Sequence, residues 1–127
     1  MNWEKLNTDY PKASNMMYKW IKENRGKFEG VWMRFSIHKI GKVDNFFTPH
    51  GYRWLYDFFD ENLILISIKC SKNLNFTAII EEFIKDESGI EFMESHSFQF
   101  YEKREIVEAL AFEKAFVILE DYQSFKD

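Results

Sequence analysis

LILISIK (63–69), LNFTAIIEEFI (74–84) and IEFMESHSFQFY (90–101) follow one another across two short connections, and their reading decides the fold. The first run is rich in β-branched residues and nearly unbroken, the composition of a central strand buried on both faces. Ser71-Lys72-Asn73 joins it to the second run, and Asp86-Glu87-Ser88-Gly89 has the composition of a tight turn into the third. Three neighbouring strands with short loops predict an antiparallel meander.

Downstream, residues 103–121 hold good helix formers with no Gly or Pro. Between Ile106 and Leu119 only Glu108, Glu113 and Lys114 are polar. So wide an apolar surface needs cover on more than one side. The expected sheet contact runs through Ile106, Leu110 and Val117, or through the neighbouring Ala111–Ile118 stripe. Phe112, Phe116 and Leu119 are then left for another element or for a second copy of the chain, which makes them candidate homodimer residues.

Upstream, residues 11–24 read as a helix. Asp9 is placed to cap it and Pro11 suits its first turn, while Ala13, Met16, Met17, Trp20 and Ile21 form one stripe and Gly26 ends it. VWMRFSIH (31–38) alternates as a half-buried strand closed by Gly41. A second helix is expected from Thr48-Pro49 to about Glu61, with Tyr52, Leu55, Phe58 and Phe59 facing a core and Trp54 covering another surface. The order α-β-α-β-β-β-α predicts one α+β domain over 1–127. It has two layers, with the meander and one further strand packed against helices.

At 127 residues the chain has the length of one ordinary domain, and its 46% apolar and 30% charged content is globular. No run reaches the ~18–20 apolar residues of a membrane span. A start without an apolar stretch and a single cysteine, Cys70, point to the cytoplasm. The net charge of −4 is unevenly spread. Residues 1–55 hold ten Lys/Arg against five Asp/Glu, and residues 56–127 hold seven against sixteen.

No chemical motif stands out. His38, His50 and His96 show no metal-ligand spacing, so neither metal nor cofactor is expected. A Cys70–His96 nucleophile pair fails on geometry, because a meander separates those strands by the middle one, and Cys70 shares parity with Ile64, Ile66 and Ile68 and should be buried. Glycine loops for phosphate and serine-hydrolase signatures are absent. Lys12, Lys19, Lys22, Arg25 and Lys27 offer a nucleic-acid alternative, which a pI near 5.4 opposes. Tyr52, Trp54, Tyr56 and His96 offer a second alternative, an aromatic-lined ligand pocket or a small enzyme. The acidic half offers a partner surface: Glu81, Glu82, Asp86, Glu87, Glu91 and Glu94 fall within fourteen residues, and Glu120 and Asp121 add to them at the end of the last helix.

Tyr10-Pro11-Lys12-Ala13, the block from Leu55 to Asp60, and Arg104 with Ala111 and Ala115-Phe116 resemble stretches that recur in small accessory proteins of phages, prophages and other mobile elements. That family carries no established activity, so the resemblance transfers no catalytic residue. It implies a bacterial host cytoplasm and a protein that acts by binding. The resulting expectation is a non-catalytic inhibitor or modulator of a host defence factor, working through its acidic surface.

Overall fold

The computed structural model describes residues 2–24, 44–47, 49, 51–70, 75–100 and 103–126. The chain is α+β. Its described elements are α1 (Trp3–Asp9), α2 (Pro11–Glu23), a 3-10 turn (Asp44–Phe47), α3 (Tyr52–Glu61), β1 (Ile64–Cys70), β2 (Phe76–Asp86), β3 (Gly89–Phe100) and α4 (Arg104–Lys126). The strand read over 31–38, with His38, lies outside the described residues, as do Arg25, Gly26, Lys27, Gly41, Thr48 and His50. The described residues group into two compact units, one from Tyr52 to Ala115 and one joining the residues up to Gly51 with those from Phe116 onward.

In the Tyr52–Ala115 unit the three strands form an antiparallel meander in the order β1-β2-β3. β2 is therefore the central strand, and among the described residues β1 lies at an edge. This corrects the expectation of a doubly buried first strand. Ile64, Ile66 and Ile68 turn inward, while Leu65 is 41% exposed and Ser67 and Lys69 face out. A run of aliphatic residues conceals the alternation that the backbone imposes.

The inward face is completed by Ala78, Ile80 and Phe98. Val107 and Ala111 of α4 pack on it with Ala78, against Ile66, Ile68, Phe76 and Phe98. Small side chains at Ala78 and Ala111 let helix and sheet approach closely. Ile106, expected at this contact, is 45% exposed, because the inward stripe of α4 runs one residue later, through Val107 and Ala111. α3 packs beside β1 and buries Tyr52, Trp54, Leu55, Phe58 and Phe59. It starts at Tyr52, three residues after Pro49, which sits in a turn. Between α3 and β1, Leu63 takes a φ of +60°, and its N–H donates to the Asp60 carbonyl at 3.1 Å. A branched side chain there carries local strain.

In the other unit, α1 was not foreseen. Asn2 caps it by accepting the Lys5 N–H at 2.8 Å, and Trp3 and Leu6 are buried. Asp9 is therefore the last residue of α1, not the cap of α2. Tyr10 occupies that cap position, and its side chain makes no capping hydrogen bond to the helix. The free amides of α2 are met from α4 instead: the Lys12 and Ala13 N–H groups donate to the Glu120 carboxylate at 3.2 and 2.7 Å. α2 buries Ala13, Ser14, Met17, Trp20 and Ile21, and the Ser14 hydroxyl donates to the Pro11 carbonyl at 2.9 Å. Phe46 and Phe116 are fully buried, and Phe47 meets Phe116 with ring centroids 6.2 Å apart.

Candidate functional site

The hairpin of β2 and β3 carries most of the acidic residues. Its two-residue loop is Glu87-Ser88, with Asp86 opposite Gly89. Gly89 has a φ of +128°, a conformation that a side chain would strain. The ladder is irregular further along. Phe83 stands opposite Phe92 but Glu82 stands opposite Glu94, so Met93 is an extra residue in β3. Counted straight back from the turn, Met93 would oppose Glu82, and Glu94 would point to the other face of the sheet. The bulge sets Glu94 directly across from Glu82 and places His96 opposite Ile80.

Glu82, Glu94 and His96 therefore share the sheet face of Ala78 and Ile80, and extend it toward the turn. The His96 ring nitrogen Nε2 donates to Glu82 Oε2 at 2.7 Å, and Glu94 Oε2 lies 3.7 Å from the same nitrogen. The side chains of His96 and Glu82 are 27% and 22% exposed, whereas Glu94 is 65% exposed. One ligand atom from each of the three lies within 4.8 Å of the others. Among the described residues no Lys or Arg pairs with either carboxylate.

The remaining acidic residues are dispersed. Glu81 lies on the reverse face, opposite Leu65 and Ser95. Glu91 opposes Ile84, so the bulge returns it to the face of Glu94, and both it and Glu87 are exposed. Among the described residues neither Glu87 nor Glu91 forms an ion pair. Asp121 is exposed, while Glu120 is half-buried and held by the amides of α2. Phe112, Phe116 and Leu119 are at most 2% exposed. Phe112 sits edge-on to Tyr52 and Tyr56 at 5.0 and 4.9 Å and stacks on Phe59 at 6.2 Å. The cover these side chains need comes from within the chain, so they give no reason for a second copy.

Other groupings separate or find different partners. Cys70 is exposed at the end of β1, although it shares parity with the inward-facing Ile64, Ile66 and Ile68. It stands two strands and four register positions from His96, about 16 Å away. Tyr52 and Trp54 are buried, and the Arg53 guanidinium lies 4.6 Å from the Trp54 ring. Tyr56 donates its hydroxyl to Glu108 Oε2 at 2.8 Å, and Arg104 Nε is 3.7 Å from the other oxygen. Burial, with Glu108 beside it, pushes the Tyr56 phenol well above its ordinary range. Burial also raises Tyr52, with Glu108 and Glu105 adding to it. Of the basic cluster, Lys19 and Lys22 are exposed on α2. Trp20 is only 6% exposed and offers no face for base stacking.

No family model, characterised protein or solved structure matches this chain. Among the described residues no helix is long and apolar enough to cross a membrane. Chemically, the hairpin offers two things. Its tip presents exposed carboxylates without counter-charges among the described residues, and its bulge gathers an imidazole and two carboxylates at one point. Sequence reasoning considered His96 beside Cys70 and in an aromatic pocket, and missed its grouping with Glu82 and Glu94. The E-x-H spacing of Glu94 and His96 puts both on one strand face, but only the bulge adds Glu82.

Proposed function

We propose that the protein is a non-catalytic binding protein that engages a basic surface on a host protein through the β2–β3 hairpin. The observation that carries this reading is the pair Glu87 and Glu91, exposed at the turn end of the hairpin and lacking ion-pair partners among the described residues. Glu94, 65% exposed, adds to them on the face that the bulge gives Glu91. Solvated carboxylates at the end of a two-stranded hairpin stabilise the fold little. They are suited to steering a positively charged partner, with an association rate that falls as salt rises. The resemblance to phage accessory proteins supports a host defence factor as the partner. Glu120 plays no part in this surface, since its carboxylate caps α2.

The test is capture from host lysate with the tagged protein, beside a variant carrying Glu87→Lys, Glu91→Lys and Glu94→Lys. A partner retained by the parent at low salt, lost at high salt and lost in the variant supports the reading, provided that both proteins melt at the same temperature. Equal capture by parent and variant removes the acidic hairpin from the interaction.

A further inference from the structure

We propose that Glu82, Glu94 and His96 form a binding site for a divalent first-row transition ion, of which Zn2+ is the best match. The inference goes beyond the partner reading and does not depend on it. It begins with an electrostatic conflict. Two carboxylates stand directly opposite each other across neighbouring strands, an arrangement that repulsion disfavours. One of them, Glu82, is more than three-quarters buried at the rim of an apolar layer, where charge is poorly screened. Among the described residues no Lys or Arg answers them, and the imidazole between them carries charge only when protonated. With the ring neutral, the cluster holds two negative charges and one nitrogen donor.

A divalent cation meets each of these conditions. It neutralises both carboxylates, and it takes the imidazole nitrogen that now binds Glu82. Ligands bound at ~2.0–2.2 Å to one ion lie roughly 2.9–3.5 Å from each other. The present separations of 2.7 and 3.7 Å from His96 Nε2 bracket that range, and all three ligand atoms lie within 4.8 Å of one another, so a rotation of the exposed Glu94 side chain toward Glu82 closes the set. The backbone is already set, because the bulge fixes Glu82 opposite Glu94 and strand parity fixes His96 beside them. On binding, the Nε2 proton leaves, to solvent from an imidazolium or to Nδ1 by tautomer exchange from a neutral ring.

The donor set selects the ion. One imidazole and two carboxylates are borderline to hard, which suits Zn2+, Co2+ or Mn2+ better than an all-oxygen site for Ca2+ or Mg2+, and excludes a thiolate-type ion. Three protein ligands leave a position open on the side of the exposed Glu94. That is the coordination of zinc sites that hold a water or an incoming group.

The measurement is calorimetric titration of ZnCl2 into chelator-treated protein carrying Cys70→Ser, which removes an exposed thiol that could itself bind zinc. One saturable site per chain is expected, with a rise in melting temperature on zinc addition. Glu82→Gln, His96→Gln and Glu94→Gln should each weaken binding at least about tenfold, and Asp57→Asn, on α3, should leave it unchanged. Co2+ should give visible d–d absorption that His96→Gln abolishes. Glu94→Gln alters a mostly solvated side chain, so it remains informative if either half-buried variant fails to fold. The proposal falls if zinc shows no saturable binding, if Glu94→Gln or His96→Gln binds as tightly as the parent, or if Ca2+ and Mg2+ bind as well as Zn2+.

Discussion

Replacing Glu120 by alanine should destabilise the protein by about 2–3 kcal/mol, through a helix that begins 109 positions earlier in the chain. α2 starts at Pro11, and the Tyr10 side chain gives its first amides nothing. The Lys12 and Ala13 N–H groups reach the Glu120 carboxylate at 3.2 and 2.7 Å. A hydrogen bond to a charged acceptor contributes about 1.5–3 kcal/mol, and the 3.2 Å contact belongs below that range. The loss of an N-cap costs about 0.5–2 kcal/mol, and a carboxylate at a helix N-terminus gains about 0.3–1 kcal/mol from the dipole. These figures describe one contact from three sides and are not summed. Glu120→Gln keeps one acceptor and loses the charge, so it should cost about half as much. Urea unfolding followed by circular dichroism would read the alanine effect as a midpoint lower by about 1 M. Amide exchange at Lys12 and Ala13 gives the local readout, because both should lose protection in the alanine variant. An alanine variant within about 0.5 kcal/mol of the parent, or one with both amides still protected, would refute the cap.

Phe116→Ala should cost about 3–5 kcal/mol, since the ring is fully buried, whereas Ile106→Ala, at a side chain 45% exposed, should cost less than about 1 kcal/mol. Similar thermal midpoints for the two would overturn the assignment of α4's faces. Tyr56→Phe should cost about 1.5–3 kcal/mol by leaving the Glu108 carboxylate without its phenol donor. Because burial and Glu108 hold the folded phenol above its ordinary value of 10.0, that stabilisation is complete below about pH 10 and lost as pH rises further. The gap between parent and Phe variant should therefore stay constant from neutral pH to about pH 9 and narrow beyond pH 10 in urea titrations. Asp60 is exposed, but the partial desolvation of its carboxyl, with Asp57 adding to it, raises it above 3.8, so its charged form is mildly disfavoured in the folded chain. Its contribution to stability is present below pH 3.8 and lost as pH rises through the folded value. Asp60→Asn should thus melt higher than the parent at pH 7, with the difference closing in acid; a lower melting point at pH 7 would show that the carboxylate serves the fold.

The secondary structure of the second half follows from local sequence alone. Apolar runs broken by turn residues force strands, and an uninterrupted series of helix formers from Arg104 forces a helix, so the meander and α4 were legible before any contact was known. The stripe of α2 was legible for the same reason. Short or uniform segments were not. The seven residues of α1 span barely two turns, and the unbroken aliphatic character of 63–69 gave no sign of which residues face out. Tertiary structure alone decided the rest. Ile106 turns to solvent because Val107 and Ala111 fit closely against Ala78. Glu120 holds α2 because the two helices meet, a contact that local sequence cannot encode. The hairpin shows the limit most sharply. Strand parity read from the turn places Glu82 and Glu94 on opposite faces, and one extra residue at Met93 reverses that and joins both to His96. A bulge forms where the packing of a whole strand outweighs one regular pairing, and that balance is settled by contacts distant in the chain.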